Sequence, residues 1–119
     1  MSRMPMQVDR LTINRLMRIL DEFRKGYPGI TVDQAMTLLW IAAEPDSTQI
    51  AIADQAGISR AAINRHVEVL GPVRSKLGKT VGSDLITNDV DDVDRRKKVL
   101  RLTPQGERIV KSLQHLMTK

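Results

Sequence analysis

Apolar residues recur at helical spacing along most of the chain and at strand spacing in only one region. In "PMQVDRLTINRLMRILDEFRKG", residues 5–26, Met6, Ile13, Leu16, Leu20 and Phe23 follow a helical period, and Val8, Leu11, Met17 and Ile19 widen the stripe. A helix is predicted there, with Pro5 in its first turn and Gly26 as its stop. So broad a stripe fits two uses: packing on the chain's own core, or a share in a dimer interface.

"YPGI" is a turn, and Thr31 then caps a second helix over "TVDQAMTLLWIAAE". Gln34 stands three residues on, where a capping box places Glu or Gln. Val32, Ala35, Met36, Leu39 and Trp40 supply its expected apolar face, and "EPDS" ends it. A short helix carrying Ile50, Ala53 and Ala56 follows, then Gly57 as a turn. Ser59 caps a further helix in which Ile63, Val67 and Leu70 keep the period. Two short helices joined by a glycine turn make the helix-turn-helix pattern, which also occurs in proteins that bind nothing. Residues 71–84, "GPVRSKLGKTVGSD", read as a loop. "LITN" and "KVLRLT" read as two strands, with Leu100 and Leu102 on one face and "DVDDVDRRK" as a polar hairpin tip between them. Thr103 caps a last helix over 104–119, with Pro104 at its first position and Ile109, Val110, Leu113, Leu116 and Met117 on its apolar face. The predicted order is four helices, two strands and a helix.

Composition sharpens this picture. The 119 residues suit one domain, and a core with one Trp, one Tyr and one Phe must be built from aliphatic side chains, which suits helices. No apolar run is long enough for a membrane span, and the beginning of the chain lacks a secretory h-region, so a cytoplasmic protein with no membrane partner is expected. The absence of cysteine excludes thiol sensing, disulfides and thiolate metal sites. The net charge is +5, and residues 60–119 carry all of the excess. An anionic partner on that half is the reading that follows, nucleic acid being the commonest.

"DDVDRRKKVLRLTPQG", Asp91 to Gly106, concentrates these signals. Asp tolerates the sharp backbone angles of a hairpin tip. Asp94 and Arg96 lie two apart, so on a regular strand they share a face, where a carboxylate can orient a guanidinium. Arg95, Lys97 and Lys98 complete a run of four bases. Without a partner the same stretch is an exposed, salt-bridged hairpin.

A helix-turn-helix followed by a hairpin is a winged helix, and the details resemble the MarR family of bacterial transcription regulators. That family's wing shows Asp, one residue, Arg, five residues, Leu-Thr, two residues and Gly; Asp94, Arg96, Leu102, Thr103 and Gly106 stand at those spacings. Residues 31–70 are similar to its second, third and fourth helices, including the Ser before the recognition helix and Arg65 midway along it. The likeness runs from about residue 10 to residue 117. An insertion between Leu70 and Leu85, Val93 at an often basic position and a short final helix depart from the family pattern. The resemblance implies that Asp94 orients Arg96 into the minor groove of DNA, a narrow negative channel that suits a guanidinium. It also implies a dimer, and in some members a small aromatic anion as effector; no residues here specify such a ligand.

On that basis the expected fold is mainly α with a small β hairpin: a winged helix-turn-helix with N- and C-terminal dimerisation helices. A single domain, 1–119, would use 1–26 and 104–119 for dimerisation and 31–103 as the DNA-binding core. The expected function is a dimeric, sequence-specific regulator of double-stranded DNA acting as a repressor at an inverted repeat. With Ile63, Val67 and Leu70 buried, Arg60, Ala61, Asn64 and Arg65 face outward near the start of the recognition helix, where side chains reach base edges. Arg bonds guanine and Asn bonds adenine in this geometry. Arg60 and Asn64 are assigned to bases, Arg65 to a phosphate or a base, and Ser59 to a phosphate unless it only caps. Arg95, Lys97 and Lys98 are assigned to phosphates. Arg74, Lys76 and Lys79 fit an extended phosphate footprint or a solvated loop equally well. No cofactor, metal or catalytic constellation is expected, and the protein is read as no enzyme: His66 and His115 lie far apart, and no phosphate-cradling glycine loop occurs. Two other uses of the fold remain open, a protein-assembly module with little DNA affinity and a non-specific or RNA-binding module.

Overall fold

The computed structural model describes residues 7–74 and 80–118. Helix α1 spans Arg10–Gly26. It begins later than the apolar stripe suggests because Asp9 ends the preceding extended segment. Its carboxylate accepts from Leu11 N at 3.0 Å and Thr12 Oγ1 at 2.7 Å, taking up orphan donors of the first turn. Pro5 and Met6 lie outside the described residues. Gly26 is the last helical residue, and a side chain there would collide with Ile109 of the last helix, its Cβ falling 2.4 Å from Cδ1.

Helix α2, Val32–Ala43, starts at the predicted capping box: Thr31 Oγ1 accepts from Gln34 N at 3.1 Å, and Thr31 N donates to Gln34 Oε1 at 2.9 Å. Its inward face is the expected one only in part: Ala35 and Trp40 pack against the core as predicted. Thr37, Leu38 and Ile41 are buried, whereas Val32, Met36 and Leu39 are exposed. The helix is apolar on nearly every side, so periodicity alone cannot choose the face. Helix α3, Gln49–Ala56, is capped by Thr48 and buries Ile52 and Ala53, while Ile50 faces solvent. Gly57 follows in the left-handed region at φ 69°, which lets the chain turn sharply into α4, Arg60–Leu70. Ser59 caps α4 by accepting from Ala62 N at 3.0 Å, and Ile63, Val67 and Leu70 are buried as predicted.

The segment after α4, expected to be a loop, contains a pair of two-residue strands, β1 (Val73–Arg74) and β2 (Thr80–Val81), in antiparallel register. Its return is stitched to the end of α4. Ser83 N donates to Val69 O at 2.9 Å, Leu85 N donates to Leu70 O at 2.7 Å, and Gly82 backs onto the Gly71 carbonyl where a Cβ would lie only 2.0 Å away. The main hairpin pairs β3 (Ile86–Val90) with β4 (Lys98–Leu102), Ile86 opposite Leu102 and Val90 opposite Lys98. The first strand thus starts one residue later and runs two residues further than predicted. Ser47 adds a one-residue antiparallel bridge to Leu100, a third strand position beside the middle of β4.

Helix α5 spans Pro104–Thr118. Thr103 Oγ1 accepts from Gly106 N at 3.0 Å, the predicted cap, and donates to Asp84 O at 2.7 Å, which ties the helix start to the base of the hairpin. One buried cluster joins all the long elements: Phe23 of α1, Leu38 and Ile41 of α2, Ile52 of α3, Ile63 and Leu70 of α4, Ile86 and Leu100 of the hairpin, and Ile109 and Leu113 of α5. The fold is mainly helical with a small antiparallel hairpin, as the pattern of residues predicts.

Candidate nucleic-acid interface

Two exposed cationic surfaces stand out, one on α4 and one at the tip of the hairpin. On α4 the buried positions Ile63, Val67 and Leu70 leave Ser59, Arg60, Ala61, Asn64 and Arg65 exposed. All five predicted residues of the helix therefore lie on its solvent side, toward its N-terminal half. The Ser59 hydroxyl oxygen is engaged in capping, and its hydroxyl hydrogen remains able to donate.

The second surface is the hairpin tip. Asp91 N donates to Lys97 O at 2.8 Å and Lys97 N to Asp94 O at 3.0 Å, so residues 91–97 close a tight turn beyond the strands. Arg95, Arg96, Lys97 and Lys98 are all exposed on it. Asp94 meets Arg96 as predicted, but through the turn and not through a shared strand face. One carboxylate oxygen, Oδ1, accepts from both the backbone N and the Nε of Arg96 at 3.1 Å, and Oδ2 accepts from Nη2 at 3.4 Å. These bonds, the Arg96 side chain first and its backbone N–H second, hold the Asp94 carboxyl below its ordinary value of 3.8. The Arg96 side chain nevertheless stays 91% exposed, aimed but not covered.

The acidic residues beside this tract are partly consumed within the tip. Asp91 accepts from Val93 N at 3.3 Å and stands 4.0 Å from Arg101 Nη2, while Asp94 is held by Arg96. Among the described residues no carboxylate pairs with Arg60, Arg65, Arg95, Lys97 or Lys98. These cations are free to meet an external anion, which the count of acids along the stretch conceals.

A groove runs between α4 and β3. Asn64, Val67 and Glu68 of α4 line one wall, Ile86, Thr87, Asn88 and Asp89 of β3 the other, and Gln49 of α3 and Gly71–Pro72 complete the lining of a space of about 300 Å³. Asn88 Nδ2 donates to Gln49 Oε1 at 2.9 Å, which links the hairpin to α3, and Asn88 Oδ1 is buried with no partner among the described residues. Sequence reasoning missed Gln49, Asn88 and, above all, Arg101. Arg101 bonds Asp46 across 55 positions of sequence, a separation over which no local spacing signal exists. The Asp46 carboxylate raises the Arg101 guanidinium above its ordinary value, against a smaller opposing effect of burial.

The remaining motif residues are structural. Leu102 and Thr103 end β4 and start α5, and Gly106 lies so close to the hairpin base that a Cβ there would stand 2.2 Å from Leu85 O. Arg74 lies on β1, while Lys76 and Lys79 lie outside the described residues. Among the described residues no group of three or more His, Asp or Glu side chains is arranged to hold a metal, and no helix is long and apolar enough to cross a membrane.

A capped helix pair turning on Gly57, an exposed second helix, and a basic-tipped hairpin leading back into a terminal helix define a winged helix-turn-helix protein. Residues 29–70, the segment holding the helix pair, match the sequence profile of the MarR family. The match covers that segment, about a third of the chain, and the fold around it is similar to solved winged-helix structures. The chain is similar in structure to MepR of S. aureus, solved as a complex with DNA: TM-score 0.63 and 22% identity, covering 92% of this chain and 81% of that one. BpsR of Bordetella bronchiseptica, whose DNA binding is described as regulated by 6-hydroxynicotinic acid, gives a TM-score of 0.54 at 22% identity over 98% of this chain and 78% of its own. A further MarR family transcription regulator gives 0.57 at 21% identity, covering 89% and 62%. No curated protein matches by sequence. At these identities the structural likeness concerns the fold.

Proposed function

We propose that the protein is a dimeric, sequence-specific double-stranded DNA-binding transcriptional regulator of the repressor type. The observation that carries this is a pair of exposed cationic surfaces: the outer face of α4, where Arg60 and Arg65 have no carboxylate partner among the described residues, and the Arg95–Lys98 tract, where Arg96 alone is held by a carboxylate. The DNA-bound structure of MepR, a protein of the same fold, supports the reading.

In this reading α4 lies in the major groove. Arg60 and Asn64 read base edges, Arg65 meets a base or a phosphate, and Ser59 donates to a phosphate at the helix N-terminus. Arg96, oriented by Asp94, enters the adjacent minor groove, and Arg95, Lys97 and Lys98 neutralise phosphates. One such unit has a small footprint. A two-fold dimer on an inverted repeat doubles it, and the repressor acts by occupying promoter DNA. The surplus apolar surface of the terminal helices supports the dimer: Leu11, Leu16, Met17 and Leu20 of α1 and Met117 of α5 are all more than half exposed.

The test is selection of bound sites from random duplexes, followed by affinity measurements over a range of salt. A two-fold repeat and a steep fall of affinity with salt are expected. Arg96→Ala should weaken every duplex alike, whereas Asn64→Ala should relax the choice at one position, by roughly 1–3 kcal/mol. If neither change alters binding, the reading surface is misassigned. The exposed apolar side chains Val32, Met36 and Leu39 favour a second reading, a protein-assembly module. That reading predicts little affinity for any duplex.

A further inference from the structure

The wing is fastened to the helix-turn-helix at more than its base. Strand β4 meets the turn between α2 and α3 through two backbone bonds: Leu100 N donates to Ser47 O at 2.8 Å, and Asp46 N donates to Leu100 O at 3.2 Å. Asp46 occupies the left-handed region at φ 65°, a conformation that Asp tolerates better than most residues. From β4, opposite Thr87, Arg101 reaches this turn, and its Nε donates to the Asp46 carboxylate. On the other side its Nη2 stands 4.0 Å from the carboxylate of Asp91, the residue that opens the wing tip. A planar guanidinium can hold two carboxylates in fixed directions at once; an ammonium acts as a point charge and cannot.

The contrast with Arg96 shows what Arg101 is for. Arg96 has one carboxylate partner and is 91% exposed, so it keeps its reach toward an external anion. Arg101 is 34% exposed and faces two carboxylates, which leaves it little charge to offer a phosphate. Its position also matters mechanically. An isolated two-stranded hairpin is marginally stable and free to twist. The Ser47 bridge secures the hairpin at Leu100, short of the tip.

We infer that Arg101 is a positioning residue. It sets the angle of the wing against the helix-turn-helix through Asp46 on one side and Asp91 on the other, so that the Arg95–Lys98 tract and α4 present to one duplex. The mechanical part stands by itself, and the consequence for binding rests on the DNA-binding reading above.

The test uses the full chain carrying Asp46→Asn or Arg101→Gln, each alone and combined with Arg96→Ala. The first readout needs no DNA. Amide hydrogen exchange over residues 91–97 should quicken about five-fold in both single variants, while protection in α2 and α4 holds. Unchanged exchange at the tip overturns the clamp. The second readout is affinity for the selected duplex. Each single variant should bind about five-fold more weakly, and part of that loss should vanish in the Arg96→Ala background, because a mispositioned wing then has only its phosphate contacts left to misplace. Losses that add in full to that of Arg96→Ala overturn the inference in favour of direct phosphate contact by Arg101. Should Arg101→Gln unfold, Asp46→Asn decides, since Asn accepts the same left-handed turn and remains folded. Should the unaltered chain bind no duplex, the proposed function fails while the exchange data still judge the clamp.

Discussion

Single residues of the wing motif divide into those that face outward and those that hold the hairpin in place. Asp94 belongs with Arg96. Its depressed carboxyl means that the pairing is present above the ordinary carboxylate range and is lost as pH falls through the lower folded-state value. The amide resonance of Arg96 should therefore stay constant from about pH 8 down to about pH 5 and move only in more acid solution. Arg96→Ala should bring the Asp94 midpoint back toward 3.8, because its largest cause is the Arg96 side chain. Gly106 belongs with the scaffold. Gly106→Ala places a methyl 2.2 Å from the Leu85 carbonyl, backbone that cannot step aside without moving the hairpin base. A loss of about 1–3 kcal/mol is expected, read as a lower melting temperature with α4 intact.

At the level of elements, legibility followed the locality of the signal. Caps lie within three residues of what they cap, so Thr31, Ser59 and Thr103 were readable, and α2, α4 and α5 start where these residues predict. Thr31→Ala removes one half of a complete capping box, and about 1 kcal/mol of stability should go with it, checked by denaturant unfolding. The inward face of α2 was readable only at Ala35 and Trp40, because a helix apolar all round has little contrast between its sides; Leu38 and Ile41 point inward because α4 and the hairpin lie there. The strands β1 and β2 are two residues each, too short to show any alternation. For the candidate site, the exposed residues of α4 and the tip were legible from burial periodicity and charge. Arg101 and Asn88 were not, since their partners Asp46 and Gln49 are brought to them only by the folded chain.

The whole molecule is more extended than its length requires. Its radius of gyration is 17.1 Å, against about 13.5 Å for a compact chain of this size. Helix α1 accounts for part of this, burying only Phe23 while Leu16, Met17 and Leu20 face solvent. So much apolar surface along one helix is costly in water and stabilises an association that covers it. In the dimer we propose, Leu16→Glu puts a charge into that seam. It should raise the dimer dissociation constant by at least about ten-fold, measured by light scattering or sedimentation. DNA affinity should fall with it, while the circular dichroism spectrum of the monomer stays helical. An unchanged oligomeric state would move the seam elsewhere, with the exposed Val32 and Met36 of α2 as the next apolar surface to examine.

The stitches between the end of α4 and the return of the chain at Gly82–Leu85 separate two jobs that a single connection usually combines. Because β3 takes its starting point from Val69 and Leu70, the last turn of α4 itself sets where the wing begins. The native spacing of helix and hairpin is therefore written in the backbone of residues 69–71 and 82–85 alone.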